Sequence, residues 1–213
     1  MRALVISDTH FGAWTGRDLL REDFFLARLA PALEGVDEVI LLGDLFDFLF
    51  GSVAEAVDSS AGLLALIAAK LPGKRFVFLA GNHDHHLVHR DEEDRLEAVL
   101  ARGDAPGADG LPPTEPPGPP FFQSYLEARM PGVEVVIAYP TYTCAGVLCT
   151  HGHYLDPHAR MSGSRGSRLL TRTLWAIAAG GPEEPTCEAD YESITTLLTE
   201  WLYIAAQMPH GTH

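Results

Sequence analysis

Three short apolar segments, each followed at once by a cluster of polar residues, constrain the fold of this chain more than any other feature. The segments are ALVIS at 3–7, EVILL at 38–42 and RFVFLA at 75–80. Apolar residues at helical spacing predict a helix at 22–34, shortened or bent at Pro31, and a second helix around 53–70. Strands that alternate with helices predict right-handed βαβ units around a largely parallel sheet. A wholly apolar segment such as ALVIS is typical of a strand buried on both faces.

The polar clusters that follow the three predicted strands read SDTH, GDLFD and GNHD. Ligands of such sheets bind just beyond the carboxyl ends of the strands, which lie at one edge. We therefore expect seven side chains to meet at this edge: Asp8, His10, Asp44, Asp47, Asn82, His83 and Asp84.

The second half of the chain is less regular, and it begins with a segment rich in proline and glycine. Residues 103–120 hold seven prolines and four glycines, a composition that predicts a loop insertion. The segments after it predict a helix, two strands and two further helices, at 121–130, 133–139, 145–150, 164–179 and 188–207. Because this part is too small to stand alone, we expect a single domain over residues 1–213.

The charge balance bears on the partners of the chain. Fifteen Lys and Arg face 29 Asp and Glu, and a net charge of −14 disfavours nucleic-acid binding. No apolar stretch approaches the roughly 18–20 residues that span a bilayer, and no signal-peptide core is present at the first residues. Three irregularly spaced cysteines indicate neither a disulfide framework nor a Cys-type zinc site. We expect a cytoplasmic protein.

The polar clusters combine carboxylate, imidazole and amide oxygen, and they contain no thiolate. This donor set suits a divalent ion such as Mn, Fe or Zn. Two ions roughly 3.5–4 Å apart can clamp a phosphate and acidify a bridging water. A histidine that is not a ligand can then protonate the leaving oxygen.

The ordered set SDTH, GDLFDF, GNHD and HGH, spread over residues 1–153, resembles the calcineurin-like metallophosphoesterase superfamily. The pattern of that superfamily is D-x-H, G-D-x-x-D, G-N-H-D/E, H-G and a final G-H-x-H. The resemblance implies a two-sheet αββα fold of the α/β class and two divalent metal ions. It also implies hydrolysis of a phosphate mono- or diester by a metal-bridging hydroxide. The strings GDLFDFLFG and HGHYLD most resemble the branch that includes UDP-2,3-diacylglucosamine hydrolase and related small bacterial phosphoesterases.

The resemblance also implies a metal ligand at each of five positions. Asp8 and His10 would bind the first ion, and Asp44 would bridge both ions. Asn82 and His151 would bind the second ion.

Two further residues receive roles that do not involve the metal directly. The resemblance implies that His83 is the general acid and that Asp47 orients it through its other ring nitrogen. The alternative for all these polar residues is a purely structural one, because strand ends also favour caps and turn residues.

The final G-H-x-H block of the superfamily is absent. The chain instead ends MPHGTH, in which His210 and His213 have a different spacing. We therefore expect the fold to lack its C-terminal strands and two metal ligands. An incomplete or decayed metallophosphoesterase that acts as a binding scaffold is the alternative function.

Two other segments allow two interpretations each. Arg165 and Arg168 belong to a basic island between Asp156 and Glu183, which either contacts a second anionic group of a small phosphorylated substrate or forms a solvated helix face. The aromatic run LFDFLF at 45–50 predicts core residues, with contact to a lipid chain as the alternative. The substrate, the choice of metal and the oligomeric state stay open at this point.

Overall fold

The computed structural model describes residues 1–13, 15–16, 18–85, 87–88, 120–139, 141–152 and 202–207. These residues form a mixed α/β fold with two sheets, as the sequence predicts. The strands are β1 (Ala3–Ile6), β2 (Glu38–Leu42), β3 (Arg75–Leu79), β4 (Glu134–Ala138), β5 (Thr141–Cys144) and β6 (Val147–Thr150). The helices are α1 (Asp23–Leu29), α2 (Val53–Lys70) and α3 (Pro120–Arg129), with 3-10 turns at Leu19–Arg21 and Ala30–Leu33. Residues 202–206 are also helical.

The first sheet has the strand order β1-β2-β3-β4, and all its neighbouring pairs are parallel. Ile6 lies beside Leu41, Leu41 beside Phe78, and Phe78 beside Ile137. This register brings the carboxyl ends of the four strands to one edge. The predicted parallel sheet is confirmed.

Strands β5 and β6 form a separate antiparallel hairpin. The sequence predicts a strand at 145–150, but Ala145 and Gly146 form the turn, with φ of 49° and 81°, because a tight hairpin needs left-handed residues there. Strand β5 was not predicted at all. Cys144 and Cys149 pack from this hairpin onto Ile40 and Val77 of the parallel sheet.

The opposite face of the parallel sheet is covered by helices. Ser52 caps α2 by accepting a hydrogen bond from the Glu55 backbone, and Lys70 ends the helix where its charge suits the helix dipole. The core on this face combines side chains of α2, α3 and the two central strands: Leu63, Leu64, Ile67, Phe122, Leu126, Val39, Leu41, Phe76 and Phe78. Strand β3 is therefore buried on both faces.

Strand β1 departs from the prediction that it would be buried on both faces. Its residues alternate between exposed and half-buried, and Val5 is 48% exposed. The reason is its place in the sheet: β1 is an edge strand of the described sheet, whereas the second sheet packs on the central strands.

Proline decides the length of the first helix. The predicted helix at 22–34 is divided into α1, which ends at Leu29, and a 3-10 turn that contains Pro31. Proline has no N–H to donate to the preceding turn, so the α-helical ladder stops there. The predicted bend or shortening at Pro31 is confirmed.

Several predictions lie wholly or largely outside the described residues. They are the Pro/Gly-rich loop at 103–120, of which Pro120 begins α3, and the helices near 164–179 and 188–207, of which residues 202–206 are helical. The single domain over 1–213 stays a prediction. None of the described helices is both long and apolar enough to cross a bilayer.

Candidate metal centre

The polar loops after β1 and β2 continue the parallel pairing of these strands beyond their ends. The backbone N–H of Asp8 donates to Gly43 O at 3.2 Å, and that of His10 donates to Asp44 O at 2.9 Å. Gly43 in turn donates to Leu79 O at 3.0 Å, which ties this loop to β3. The loops are therefore held in register by main-chain hydrogen bonds, and their side chains have fixed places at the sheet edge.

Three residues at this edge adopt left-handed backbone conformations. The φ angles of Asp8, His10 and Asp44 are 55°, 46° and 52°. Each such conformation costs a non-glycine residue about 1–2 kcal/mol. Backbone strain of this kind is concentrated at functional sites, where the surrounding structure holds a side chain in a useful direction.

Two glycines allow the side chains of the site to come close together. A Cβ atom on Gly43 would overlap the ring of His151, and one on Gly81 would overlap the carboxylate and backbone of Asp44. The glycines that precede Asp44 and Asn82 in the motifs are therefore required by close contacts.

The first group of candidate ligand atoms comes from His10, Asp47 and His83. His83 Nδ1 lies 2.8 Å from Asp47 Oδ1, and His10 Nδ1 lies 3.4 Å from Asp47 Oδ2. The same Asp47 Oδ1 accepts a hydrogen bond from the backbone N–H of Phe50 at 3.1 Å. Burial acts to raise the pKa of Asp47, but the two histidines outweigh it and hold this pKa below its usual range.

The second group comes from Asp8, Asp44 and His151. His151 Nε2 lies 3.5 Å from Asp44 Oδ2 and 3.3 Å from Asn82 Oδ1. His151 Nδ1 lies 2.9 Å from the carbonyl oxygen of Leu42, which can only accept, so this nitrogen carries the hydrogen. A neutral His151 therefore presents the lone pair of Nε2 to the site, as a metal-binding histidine requires.

His10 connects the two groups through its two ring nitrogens. While Nδ1 faces Asp47, His10 Nε2 lies 3.6 Å from Asp44 Oδ2 and 3.8 Å from Asp8 Oδ1. The rings of His10 and His83 meet edge to face with their centroids 4.6 Å apart.

The carboxylates and imidazoles shift one another's pKa. The Asp47 carboxylate, opposed by burial, raises the pKa of His10. Burial acts to lower the pKa of His151, but Asp44 outweighs it and raises this pKa to about 9. Burial acts to raise the pKa of Asp44, whereas His151 and His83 lower it. Without a metal ion, the raised pKa values of His10 and His151 favour their protonated forms, whose positive charge offsets that of the carboxylates.

The distances and the donor types fit divalent metal ions. Four carboxylate–imidazole separations at the site, from 3.4 to 3.8 Å, exceed the usual length of a hydrogen bond. Two atoms that each lie about 2.1 Å from one ion can be up to about 4.2 Å apart, so these pairs can share an ion. The two described cysteines, Cys144 and Cys149, pack elsewhere, between the two sheets. Oxygen and nitrogen donors without thiolate suit Mn, Fe or Zn.

Asp84 has a different role from the other six residues predicted at this edge. Its fully buried carboxylate accepts hydrogen bonds from the backbone N–H groups of Gly81, Leu45 and Phe46, at 2.7, 2.8 and 3.2 Å. It therefore fastens the GNHD loop to the GDLFD loop and is not part of either ligand group.

Three residues that support the site were not identified from the sequence. Ser7 Oγ contacts the Asp8 carboxylate and lies 2.9 Å from Leu42 O. Gln207 accepts from Val53 N at 3.0 Å and donates to Gly51 O at 3.2 Å, which holds the loop before α2. The third is Phe50, which the sequence predicts to be a core residue. Gln207 lies 154 residues from Val53, so no local pattern could have indicated it.

Four residues singled out from the sequence, Arg165, Arg168, His210 and His213, lie outside the described residues.

Comparison with known proteins identifies the family. A family model for calcineurin-like phosphoesterases matches residues 1–184. Neither a search of curated proteins nor a search of solved structures found a match. The matched range contains the whole described metal centre, and phosphoesterases of this family are hydrolases that use divalent metals. The superfamily predicted from the motifs is confirmed: the chain belongs to the calcineurin-like phosphoesterases.

Proposed function

We propose that this chain hydrolyses a phosphate mono- or diester at two divalent metal ions, with His83 as the general acid. The observation that carries the proposal is the meeting of two carboxylate–imidazole groups at one sheet edge, the first of which contains the hydrogen-bonded pair of His83 and Asp47. Family membership supports phosphoester hydrolysis in general.

Five residues would hold the ions. Asp8 and His10 would bind the first ion, and Asp44 would contact both, since Asp44 Oδ2 lies within 3.6 Å of His10 Nε2 and within 3.5 Å of His151 Nε2. Asn82 and His151 would bind the second. When bound, two such ions clamp a phosphate and lower the pKa of water enough to make it a nucleophile at neutral pH.

His83 would transfer a proton through its second ring nitrogen. Nδ1 is hydrogen-bonded to Asp47, whereas Nε2 has no hydrogen bond to any described residue, and the side chain is 16% exposed. In the reaction the oxygen of water bonds to phosphorus, the bond from phosphorus to the leaving oxygen breaks, and the proton of His83 goes to that oxygen. The products are an alcohol and phosphate from a monoester, or an alcohol and a phosphate monoester from a diester, and a proton from the water restores His83. General acids of this kind contribute about 10²–10⁴ in rate.

The finer substrate assignment rests on the sequence. A small phosphorylated substrate whose second anionic group contacts Arg165 and Arg168 is part of the proposal, as is the UDP-2,3-diacylglucosamine hydrolase-like branch. Assays with UDP-2,3-diacylglucosamine beside simple phosphoesters test both.

The central experiment measures manganese per chain and phosphate release from benzyl phosphate, whose poor alkoxide leaving group depends on a general acid. We expect close to two ions per chain in the wild type. Asp44→Asn should lower both the metal content and the activity. His83→Gln should keep the metal and lose about 10²–10⁴ in rate. Asp58→Asn, which changes an exposed carboxylate on α2, is the matched control and should alter neither.

The outcome also decides between the two functions that the sequence left open. One ion or fewer per chain, together with no hydrolysis, contradicts the dinuclear enzyme and favours the binding scaffold. Full activity in His83→Gln contradicts the role of His83 alone.

A further inference from the structure

The aromatic run at 45–50 is divided by the structure into a buried part and one exposed ring. Four of its apolar side chains are buried in the core: Leu45, Phe46, Phe48 and Leu49. Phe50 is 43% exposed. The core interpretation therefore holds for the run except at its last residue.

Phe50 lies beside the proposed general acid. Its ring centroid is 5.6 Å from that of His83, and the two rings are inclined by 55°. Its backbone N–H donates to Asp47 Oδ1, the same oxygen that binds His83 Nδ1. The position of the ring is thus coupled to the pair of residues that orients the proton donor.

The chain around Phe50 is held from both sides. The backbone N–H of Phe50 donates to Asp47. Just after Phe50, Gln207 accepts a hydrogen bond from Val53 N and donates one to Gly51 O. Ligand sites combine apolar and aromatic side chains with a few placed polar groups, and an exposed ring beside His83 and Asp47 fits this combination. The backbone that carries the ring is held before a ligand arrives, which lowers the ordering cost of binding.

The path of the proton from His83 to the leaving oxygen indicates which part of a substrate the Phe50 ring would contact. His83 Nε2 must come within hydrogen-bond reach of the leaving oxygen, so the group attached to this oxygen would lie close enough for the Phe50 ring to contact it. The candidate ligand groups, one of which includes His83 itself, consist of carboxylates and imidazoles. The exposed ring of Phe50 therefore adds an apolar surface beside a polar site.

We propose that Phe50 is a specificity-determining residue, which contacts the leaving group and selects phosphoesters whose leaving group is aromatic or otherwise apolar. This inference rests on the proposed function, because His83 defines the leaving-group side.

A binding measurement tests the inference without turnover. The probes are benzylphosphonate and methylphosphonate, which cannot be hydrolysed, titrated calorimetrically into the manganese-loaded protein. We expect the wild type to bind benzylphosphonate more tightly than methylphosphonate. In Phe50→Ala the ratio of the two affinities should fall about tenfold, while the affinity for methylphosphonate should stay unchanged. Phe50→Tyr, which keeps the ring, should retain the preference. Phe24→Ala is the matched control, since Phe24 is an exposed phenylalanine on α1.

A kinetic comparison separates this inference from the proposed function. Benzyl and methyl phosphate release alcohols of nearly equal acidity, so their chemical barriers are similar. Phe50→Ala should lower kcat/KM for the benzyl ester about tenfold and leave that for the methyl ester unchanged. Equal losses on both esters, or a wild type that shows no preference for either benzyl compound, overturn the inference. No hydrolysis of either ester overturns the proposed function, while a phosphonate preference that disappears in Phe50→Ala still supports Phe50 as the selecting residue.

Discussion

The two ends of the parallel sheet both carry charged residues, but they arrange them differently. At the amino ends of the strands, Glu38, Arg75 and Glu134 are lateral neighbours on β2, β3 and β4. There Arg75 Nη2 lies 2.9 Å from Glu134 Oε1, an ion pair on relaxed backbone. At the carboxyl ends, four carboxylate–imidazole pairs lie 3.4–3.8 Å apart, His83 and Asp47 lie 2.8 Å apart, and Asp8, His10 and Asp44 have left-handed backbones.

The difference is the one expected between a structural ion pair and a candidate metal centre. Oppositely charged side chains that have only a structural role come within hydrogen-bond distance of each other, because no metal ion competes for them. Groups that are to share an ion are held slightly too far apart for one another, and strained backbone and close-fitting glycines keep them there. We therefore expect substitutions at the carboxyl edge to change metal binding and those at the amino edge to leave it unaltered.

The largest effect that tests this comparison is expected from Gly43→Ala. A left-handed alanine costs about 1–2 kcal/mol, and the overlap of its Cβ with His151 adds about 1–3 kcal/mol. Displacement of His151 should also lower manganese affinity. Gly73→Ala is the matched control, because Gly73 has a similar φ of 70° but open space at the Cβ position, so only the strain applies. Chemical denaturation and calorimetric manganese titration measure the two quantities. Equal destabilisation by the two variants would contradict the close contact.

A second effect of intermediate size is the pH dependence of manganese binding. His151 has a pKa raised to about 9 in the metal-free protein, so below this pH it carries a proton that the metal must displace. Asp44, with a lowered pKa, is already ionised and contributes no proton. The apparent affinity should therefore rise by about tenfold per pH unit for each displaced proton, and this contribution should level off above pH about 9. Calorimetry in buffers of different ionisation enthalpy counts the protons. Binding near pH 7 without proton release would contradict the predicted protonation of His151.

The smallest effect is expected at the amino edge. The side chains of Arg75 and Glu134 are 43% and 58% exposed, and such surface ion pairs contribute about 0.2–1 kcal/mol. A double-mutant cycle with Arg75→Met and Glu134→Gln should give a coupling energy in this range. The manganese stoichiometry should be the same in all four proteins. A change in the metal content of any of them would contradict the expectation that substitutions at the amino edge leave metal binding unaltered.

Much of the fold and most of the site could be predicted because the relevant signals are local. The strands β2 and β3 and the helix α2 follow from short-range patterns, and so does the order in which polar loops follow strands. The rule that parallel strands end at one edge then brings Asp8, Asp44 and Asn82 together without any coordinates. The short strand β5 was missed because TYTC has no apolar alternation, and the hairpin forms through pairing with β6.

The sequence by itself determined the family, the parallel sheet and the residues that meet at its carboxyl edge. Only the tertiary structure decided which of these residues belong to the candidate ligand groups and which hold the loops, since Asp84 is distinguished from Asp44 by its three backbone donors. It also decided that Val5 and Phe50 are exposed and that Gln207 supports a loop 154 residues away. The physical reason is that burial and hydrogen-bond partners depend on contacts between segments distant in the chain, which no local pattern of residues contains.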